Sequence, residues 1–173
     1  MVINKDQDSI EEILSRGINE AINLRYLKEQ LLAGKKLRVK LGIDPTSPNL
    51  HLGRAVTLLK LKDFQDLGHQ IVFIVGDFTG TIGDTSDKES ERPMLTQEVI
   101  KQNMKTYVRQ ISKIIDVRKV EIYYNSKWLK KLGFAEIGRM ANLFSLAEFM
   151  ARENIKKRYQ AGQRVSLREV LYP

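Results

Sequence analysis

The chain has 173 residues, of which 29 are Lys or Arg and 21 are Asp or Glu, so its formal net charge is +8. It contains no Cys and two His, which excludes disulfides, thiolate catalysis, Cys-based zinc sites and any site that needs several His ligands. Its longest apolar run, residues 71–75, is far shorter than the roughly 20 residues of a membrane-spanning helix. The polar N-terminus has no apolar signal segment, so we expect a cytoplasmic protein without a membrane partner.

The first predicted elements are a helix and a strand. Ser9-Ile-Glu-Glu12 fits a capping box, and apolar residues then recur at helical spacing. This pattern predicts a helix over 9–33 that ends at Gly34 and could be interrupted at Gly17. Apolar and polar residues alternate over 37–43, which predicts a strand that ends in the turn cluster Asp44-Pro-Thr-Ser-Pro-Asn49.

The remaining chain continues this alternation. Two further strands are predicted, at 70–75, where the sequence is apolar from residue 71 onward, and at 119–124. Helices are predicted at 55–67 before Gly68, at 96–115, and through most of 126–173 with breaks near Gly133, Ser145 and Gly162.

Strands that alternate with helices form an α/β fold with a parallel sheet. Ligands bind such sheets beyond the carboxyl ends of the strands. The two loops with the most unusual composition, 42–54 and 76–95, both follow predicted strands. We therefore expect the functional site between them.

The first loop contains candidate phosphate-binding residues. Gly53 has no side chain, so a ligand could lie against the backbone at the first turn of a helix, where free amides and the helix dipole favour phosphate. His51 and Arg54 flank this glycine and could donate hydrogen bonds to phosphate oxygens or a ribose. The alternative is that His51 is a surface loop residue and Gly53 only eases a turn.

The second loop contains charged candidates. Asp84 could hold a substrate ammonium group, and Lys88 and Arg92, four residues apart, could close over phosphates as a lid. The alternative is a polar turn in which Asp84 caps a helix and both cations are solvated. Farther along, Phe144, Phe149 and Met150 are expected in a core or a subunit interface.

Three segments in order, GIDPTSPNLHLG from Gly42, GDFTGTIGD from Gly76 and YNSKW from Tyr124, resemble the catalytic domain of bacterial tyrosyl-tRNA synthetases. The resemblance extends from residue 9 to the last residue, and Lys40 matches the form of the family with Lys at this position. It implies a Rossmann-like parallel sheet with an amino-terminal helix and a helical insertion over about 126–173.

The resemblance also implies a reaction. The family uses ATP to convert L-tyrosine to tyrosyl-adenylate and passes the tyrosyl group to its tRNA. Mg²⁺ accompanies ATP, and no metal site on the protein is expected. The helical insertion forms a homodimer interface in the family, to which Phe144 and Phe149 could contribute.

Individual roles follow where residues match the family. Thr46 and His51 match residues that hold the ATP phosphates, and Lys88 and Arg92 match loop cations that contact the leaving pyrophosphate. The positions matched to the adenylate site are Gly42, Asp44, Gly53 and Thr57. The positions matched to the tyrosine site are Lys40, Thr79, Asp84, which would hold the α-ammonium group, Asn125 and Trp128.

The chain departs from the family at several points. Arg54 occupies the second His of the nucleotide motif HxGH, and Thr85 and Asp87 replace the Pro and Gly of a GDPSG turn. The KMSKS loop, the residues that recognise the tyrosine hydroxyl and the anticodon-binding domains are missing, so we expect a partial catalytic domain over 1–173 that meets tRNA through missing parts. The alternatives are a truncated relative that binds nucleotide or RNA without catalysis, and a partner of a full-length synthetase.

Overall fold

The computed structural model describes residues 2–82 and 95–170 of the chain. Within them, three strands form one parallel sheet in the order β1-β2-β3. The strands are β1 (Arg38–Ile43), β2 (Gln70–Val75) and β3 (Val120–Tyr124). The α/β class and the three predicted strands are therefore confirmed.

The amino-terminal region forms two helices, α1 (Gln7–Ser15) and α2 (Leu24–Leu32). The interruption that the sequence allowed at Gly17 is therefore present, but residues 16–23 are not helical. The backbone turns at Gly17, where φ is +66°, and Asn23 precedes α2 with φ of +56°. Ser9 was also wrong as the capping residue. Asp6 caps α1 instead, since its carboxylate accepts hydrogen bonds from the Ser9 amide at 2.9 Å and the Ser9 hydroxyl at 2.7 Å.

Helix α3 (Leu52–Asp66) connects β1 to β2. It begins three residues before the predicted start and ends before Gly68, whose φ of +95° favours glycine. Its Lys60 donates to the carbonyl oxygens of Ile13 and Arg16 over 2.9 and 2.7 Å, which satisfies orphan groups at the end of α1.

The predicted helix over 96–115 is also divided. After the short helix α4 (Thr79–Ile82), the described chain resumes at Leu95 and forms α5 (Gln97–Met104) and α6 (Tyr107–Ile111). A single 3-10 turn, Val117–Lys119, then precedes β3. The Thr96 hydroxyl accepts from the Val99 amide at 3.4 Å, which places the start of α5 where the sequence predicts it.

The last third of the chain is helical, as predicted. Its helices are α7 (Ser126–Leu129), α8 (Phe134–Ala141), α9 (Leu146–Met150), α10 (Glu153–Gln160) and α11 (Leu167–Val170). A buried ion pair joins the last two, because Arg158 Nη1 lies 2.6 Å from a carboxylate oxygen of Glu169. The described residues contain no helix long and apolar enough to cross a membrane.

The chain divides into two compact units. The first comprises Met1–Gly42, Asn49–Ile74 and Thr106–Tyr123, and the second comprises Ile43–Pro48, Val75–Lys105 and Tyr124–Pro173. A core cluster in the first unit is formed by Ile10, Ile13, Leu14, Leu31 and Leu67. In the second unit the buried apolar side chains include Ile100, Phe149 and Ile155. Phe149 thus belongs to a core, whereas Phe144 is exposed.

Candidate functional site

In the first unit, the candidate phosphate-binding residues lie at the start of α3. His51 is the residue that precedes the helix, and its side chain makes no capping hydrogen bond. Its ring instead lies over Gly53, where an added Cβ would come within 3.2 Å of His51 Cε1 and Nδ1. A side chain at Gly53 would therefore crowd the imidazole of His51, which would have to shift slightly, and glycine leaves the first helical turn uncovered.

Side chains of helix α6 form hydrogen bonds with this turn and with the loop before it. Arg54 Nη1 donates a hydrogen bond to the Tyr107 hydroxyl at 2.9 Å, and Tyr107 itself is buried. The Leu50 amide donates to Gln110 Oε1 at 2.8 Å, and Gln110 Nε2 donates to the Thr106 hydroxyl at 2.8 Å. The loop before α3 and the guanidinium of Arg54 are thus both fixed by α6.

In the second unit, Asp44, Thr79 and Asn125 form a hydrogen-bonded chain. The Thr79 hydroxyl donates to Asp44 Oδ1 at 2.7 Å and accepts from Asn125 Nδ2 at 2.8 Å. The Asn125 side chain is buried, and its Oδ1 accepts from the Phe78 amide at 2.9 Å. Three residues predicted from two different loops and from the end of β3 are therefore brought together.

Gly76 is essential to this arrangement. A Cβ at this position would lie 1.8 Å from Asp44 Oδ1 and 2.5 Å from the Thr79 hydroxyl, so any other residue would displace both side chains. The next residue, Asp77, accepts hydrogen bonds from the amide and hydroxyl of Ser126 at 2.9 and 2.6 Å. The turn after β2 thereby fixes both Asp44 and the start of α7.

The other predicted residues are placed as follows. Thr46 is half-buried after β1, while Lys40 and Gly42 are exposed on that strand. The Thr57 hydroxyl donates to the Arg54 carbonyl at 2.8 Å, and Trp128 is partly exposed on α7. Asp84, Lys88 and Arg92, together with Thr85 and Asp87, lie outside the described residues.

Sequence reasoning missed Tyr107, Gln110, Gly76 and Asp77. Tyr107 and Gln110 lie in a segment that reads as ordinary helix, and their partners are more than 50 residues earlier in the chain. Gly76 and Asp77 stand at the end of a buried strand, in the loop that was expected to carry the site. Their position there is a signal that could have identified them.

The arrangement suits the binding of an anionic ligand. The first turn of the 15-residue helix α3 presents amide groups and the positive end of the helix dipole, with an imidazole and a guanidinium beside it. Among the residues that the structure describes, no three His, Asp or Glu side chains are grouped closely enough to hold a metal ion.

A parallel sheet whose first strand is followed by a polar loop and then a helix is typical of Rossmann-like folds. The family model described as "tRNA synthetases class I (W and Y)" matches residues 32–173. The chain is a member of this family of class I tRNA synthetases.

Curated relatives support the same assignment. A tyrosine–tRNA ligase of Dehalococcoides mccartyi is 46% identical over 171 residues, which cover 99% of this chain and 43% of the relative. A tyrosine–tRNA ligase of Oleidesulfovibrio alaskensis is 44% identical over 168 residues, which cover 97% of this chain and 42% of the relative. The chain therefore spans less than half the length of these relatives.

Solved structures agree on the fold. A C-terminally truncated mitochondrial tyrosyl-tRNA synthetase of Aspergillus nidulans has a TM-score of 0.80 and 21% identity over 98% of this chain and 52% of that one. A tyrosyl-tRNA synthetase of Archaeoglobus fulgidus, complexed with L-tyrosine, has a TM-score of 0.71 and 19% identity over 97% of this chain and 50% of that one. The predicted Rossmann-like architecture is confirmed.

Proposed function

We propose that this chain carries part of the catalytic domain of a tyrosine–tRNA ligase. Residues 126–173 would form its helical insertion, and the KMSKS loop and anticodon-binding parts lie outside the sequence. The observation that carries the proposal is the start of α3, where His51 lies on Gly53 and Arg54 is held by Tyr107, in a chain whose relatives are tyrosine–tRNA ligases.

The proposed reaction has two steps. A carboxylate oxygen of L-tyrosine attacks the α-phosphorus of ATP, the bond from that phosphorus to the bridging oxygen breaks, and pyrophosphate leaves with its Mg²⁺. A terminal ribose hydroxyl of the tRNA then attacks the carbonyl carbon of the adenylate, and AMP leaves. Neither step needs a covalent enzyme intermediate, so the protein acts by positioning the reactants and stabilising developing charge.

On the nucleotide side, the α3 amides and His51 would donate hydrogen bonds to the phosphates, and Thr46 would add a hydroxyl. Arg54 supplies a permanent cation whose orientation is set by the Tyr107 hydroxyl. Gly42, Gly53 and Thr57 would line the adenylate. We assign Lys88 and Arg92 to the leaving pyrophosphate, because cations there neutralise the charge that develops on it.

On the tyrosine side, Asp84 would hold the substrate ammonium group, and Lys40 and Trp128 are further residues that we assign to tyrosine. Asn125 is a positioning residue, since its amide orients the Thr79 hydroxyl that donates to Asp44. A threonine hydroxyl that both donates and accepts has one fixed proton direction. Asp44 would therefore keep one carboxylate rotamer when substrate arrives.

We further propose a homodimer and a cytoplasmic location, where ATP and tRNA are available. Large apolar side chains are exposed on and beside α8 and α9, and the most exposed are Phe134, Leu143, Phe144 and Leu146. Several large, exposed apolar side chains in one segment are typical of a surface that another protein segment covers.

Calorimetric titration tests the nucleotide assignment. ATP and a non-hydrolysable tyrosyl-adenylate analogue are titrated separately into the wild-type chain, His51→Ala and the surface control Lys113→Ala, all checked for folding by circular dichroism. We expect saturable ATP binding that weakens about 10-fold or more in His51→Ala, because charge-assisted hydrogen bonds to phosphate are strong, and no change in the control. Equal affinities in all three proteins, or no binding by a folded wild-type chain, would contradict the assignment.

A second function, nucleotide binding without adenylation, is favoured by the contact between Arg54 and Tyr107. An arginine held there cannot accept a hydrogen bond as an imidazole can. Tyrosine-dependent exchange of radiolabelled pyrophosphate into ATP distinguishes the two functions. Exchange indicates adenylation, whereas ATP binding without exchange indicates the second function.

A further inference from the structure

The side chain of His51 is positioned without a hydrogen bond of its own. Its imidazole is exposed, does not cap α3 and, within residues 2–82 and 95–170, has no hydrogen-bond partner. Arg54, by contrast, is held through its own side chain by Tyr107. The direction in which His51 presents its ring to a ligand therefore depends on the peptide groups on either side of it.

The peptide groups after His51 belong to the first turn of α3. The His51 carbonyl accepts from the Arg54 and Ala55 amides at 3.0 and 3.2 Å, which fixes the chain on that side. The amides of Leu52 and Gly53 have no acceptor among the residues that the structure describes, as is usual for the first turn of a helix. These two amides are therefore available to a ligand.

The peptide group before His51 is held by Gln110 of α6. Gln110 Oε1 accepts from the Leu50 amide over 2.8 Å, across 60 residues of sequence. Gln110 Nε2 donates to the Thr106 hydroxyl over 2.8 Å, one helical turn earlier. Because a carboxamide has one donor end and one acceptor end, the bond to Thr106 turns the oxygen of Gln110 toward Leu50.

The break between α5 and α6 makes this arrangement possible. Thr106 precedes α6, and its side chain makes no capping hydrogen bond, so its hydroxyl can orient Gln110 instead. Gln110 and Tyr107 lie three residues apart and thus on one face of α6. That face contacts both the peptide before His51 and the guanidinium of Arg54.

We propose that Gln110 is a positioning residue of the nucleotide site. By holding the Leu50 amide, it fixes the direction in which His51 and the first amides of α3 meet the phosphates of ATP. It acts through the backbone, and its benefit is that the loop is already ordered before the ligand arrives. This inference rests on the proposed function, which supplies ATP as the ligand, and it assigns a role to a helix that contributed no candidate residue from the sequence.

ATP titration of two matched variants, both checked for folding by circular dichroism, tests the proposal. Gln110→Met keeps a long unbranched side chain but removes both strong hydrogen-bonding groups. Gln65→Met is the control, because the Gln65 carboxamide likewise bonds to main chain, at the Asp116 amide and carbonyl over 2.8 and 3.1 Å. Gln65 lies at the other end of α3, about 20 Å from its first turn. We expect about 10-fold weaker ATP binding in Gln110→Met and unchanged affinity in Gln65→Met.

Hydrogen exchange of the ligand-free protein, followed by NMR, gives a readout that does not depend on ATP. The Leu50 amide should exchange about 10-fold faster in Gln110→Met, because its acceptor is lost, and at the wild-type rate in Gln65→Met. Gln110→Glu keeps an acceptor oxygen and should retain slow exchange at Leu50. Thr106→Val removes only the orienting hydroxyl and should shift both readouts in the direction of Gln110→Met, by a smaller amount.

The assignment of Gln110 fails if Gln110→Met binds ATP as tightly as the wild type, or if Gln65→Met loses as much affinity. It also fails if Leu50 exchanges at the same rate in Gln110→Met and in the wild type. Absence of ATP binding by a folded wild-type chain contradicts the proposed function and this assignment together. Wild-type binding that is unchanged in Gln110→Met contradicts the assignment alone.

Discussion

At the scale of single residues, Gly76 occupies a position where the neighbouring side chains of Asp44 and Thr79 leave no room for a Cβ atom. Its Cα lies against the carboxylate of Asp44 and the hydroxyl of Thr79, and a methyl group there would overlap both. The close approach, and not an unusual backbone angle, is what requires glycine at this position. The hydrogen bonds from Thr79 to Asp44 and from Asn125 to Thr79 therefore depend on the absence of a Cβ.

We expect Gly76→Ala to lower the free energy of unfolding by about 1–3 kcal/mol, the usual cost of an overpacked buried site. Gly138→Ala in α8 is the matched control, since nothing lies within 4 Å of its added Cβ. In an exposed helix that substitution should stabilise slightly or leave stability unchanged. Urea denaturation of both variants measures the difference, and equal stabilities would mean that Asp44 and Thr79 can move aside without cost.

At the residue scale, a local signal in the sequence selected some of the candidate residues, and the resemblance to the family selected the others. His51, Gly53 and Arg54 lie within four residues at the end of the loop and the start of α3, and the structure brings Asp44, Thr79 and Asn125 into one network. Tyr107 could not be predicted as the partner of Arg54, because a contact across 53 residues leaves no trace in spacing or composition. The roles of these residues toward ligands remain predictions.

At the scale of elements, prediction was accurate for strands and weaker for long helices. The bounds of β2, Gln70–Val75, were predicted correctly, because a short apolar run rich in β-branched residues favours a strand over a helix. The single helix predicted over 96–115 is two helices in the structure. The periodicity of apolar residues could not reveal the side-chain contacts of Thr106 and Gln110, which link α6 to the loop before α3. Helix breaks of that kind are decided by tertiary contacts.

The connection between α3 and β2 contains a buried titratable group. His69 is 4% exposed, its Nδ1 accepts from the Leu37 amide at 3.3 Å, and its ring centroid lies 5.9 Å from that of Phe64. Burial lowers the pKa of His69 from its ordinary value of 6.5. The folded protein thus favours the neutral imidazole, whose Nδ1 can accept the hydrogen bond at the start of β1.

We expect the free energy of unfolding to fall as the pH decreases below 6.5. The unfolded chain binds a proton at His69 near that pH, whereas the folded chain binds it only at lower pH, so this contribution to stability is complete above 6.5 and is lost toward the folded-state pKa. His69→Asn keeps an acceptor near the Nδ1 position but does not titrate. Urea unfolding at pH 7.5 and 5.5 should show a decrease for the wild type and a smaller one for His69→Asn, and parallel decreases would contradict this account.

At the scale of the whole molecule, much apolar surface remains exposed. Leu143 is 80% and Phe144 59% exposed beside α8 and α9, whereas Phe149 is buried and lies 5.5 Å from the guanidinium of Arg152. Of the two aromatic residues expected at a subunit interface, only Phe144 is therefore available for it. The chain spans less than half the length of its relatives. Its exposed apolar surface is therefore the surface of one part of such a protein and not of a full-length relative.

We expect Leu143→Glu/Phe144→Glu to weaken self-association by about 30-fold or more, because charged groups would replace central apolar contacts worth about 2 kcal/mol. Sedimentation velocity over a micromolar concentration range measures the change. Ile22→Glu is the control, since Ile22 is equally apolar and 85% exposed in the amino-terminal region. A wild-type chain that is monomeric throughout, or equal weakening in the control, would contradict the proposed interface.

The position of β1 in the sheet has a practical consequence. In the order β1-β2-β3 it is an edge strand of the described sheet, and its residues alternate between exposed and half-buried up to Ile43. An edge strand is a template for pairing with foreign strands, and the exposed charge of Lys40 opposes such pairing by repulsion between copies, whereas Arg38 is ion-paired with Glu121. High salt screens that repulsion, so purification and storage of this chain should favour low ionic strength.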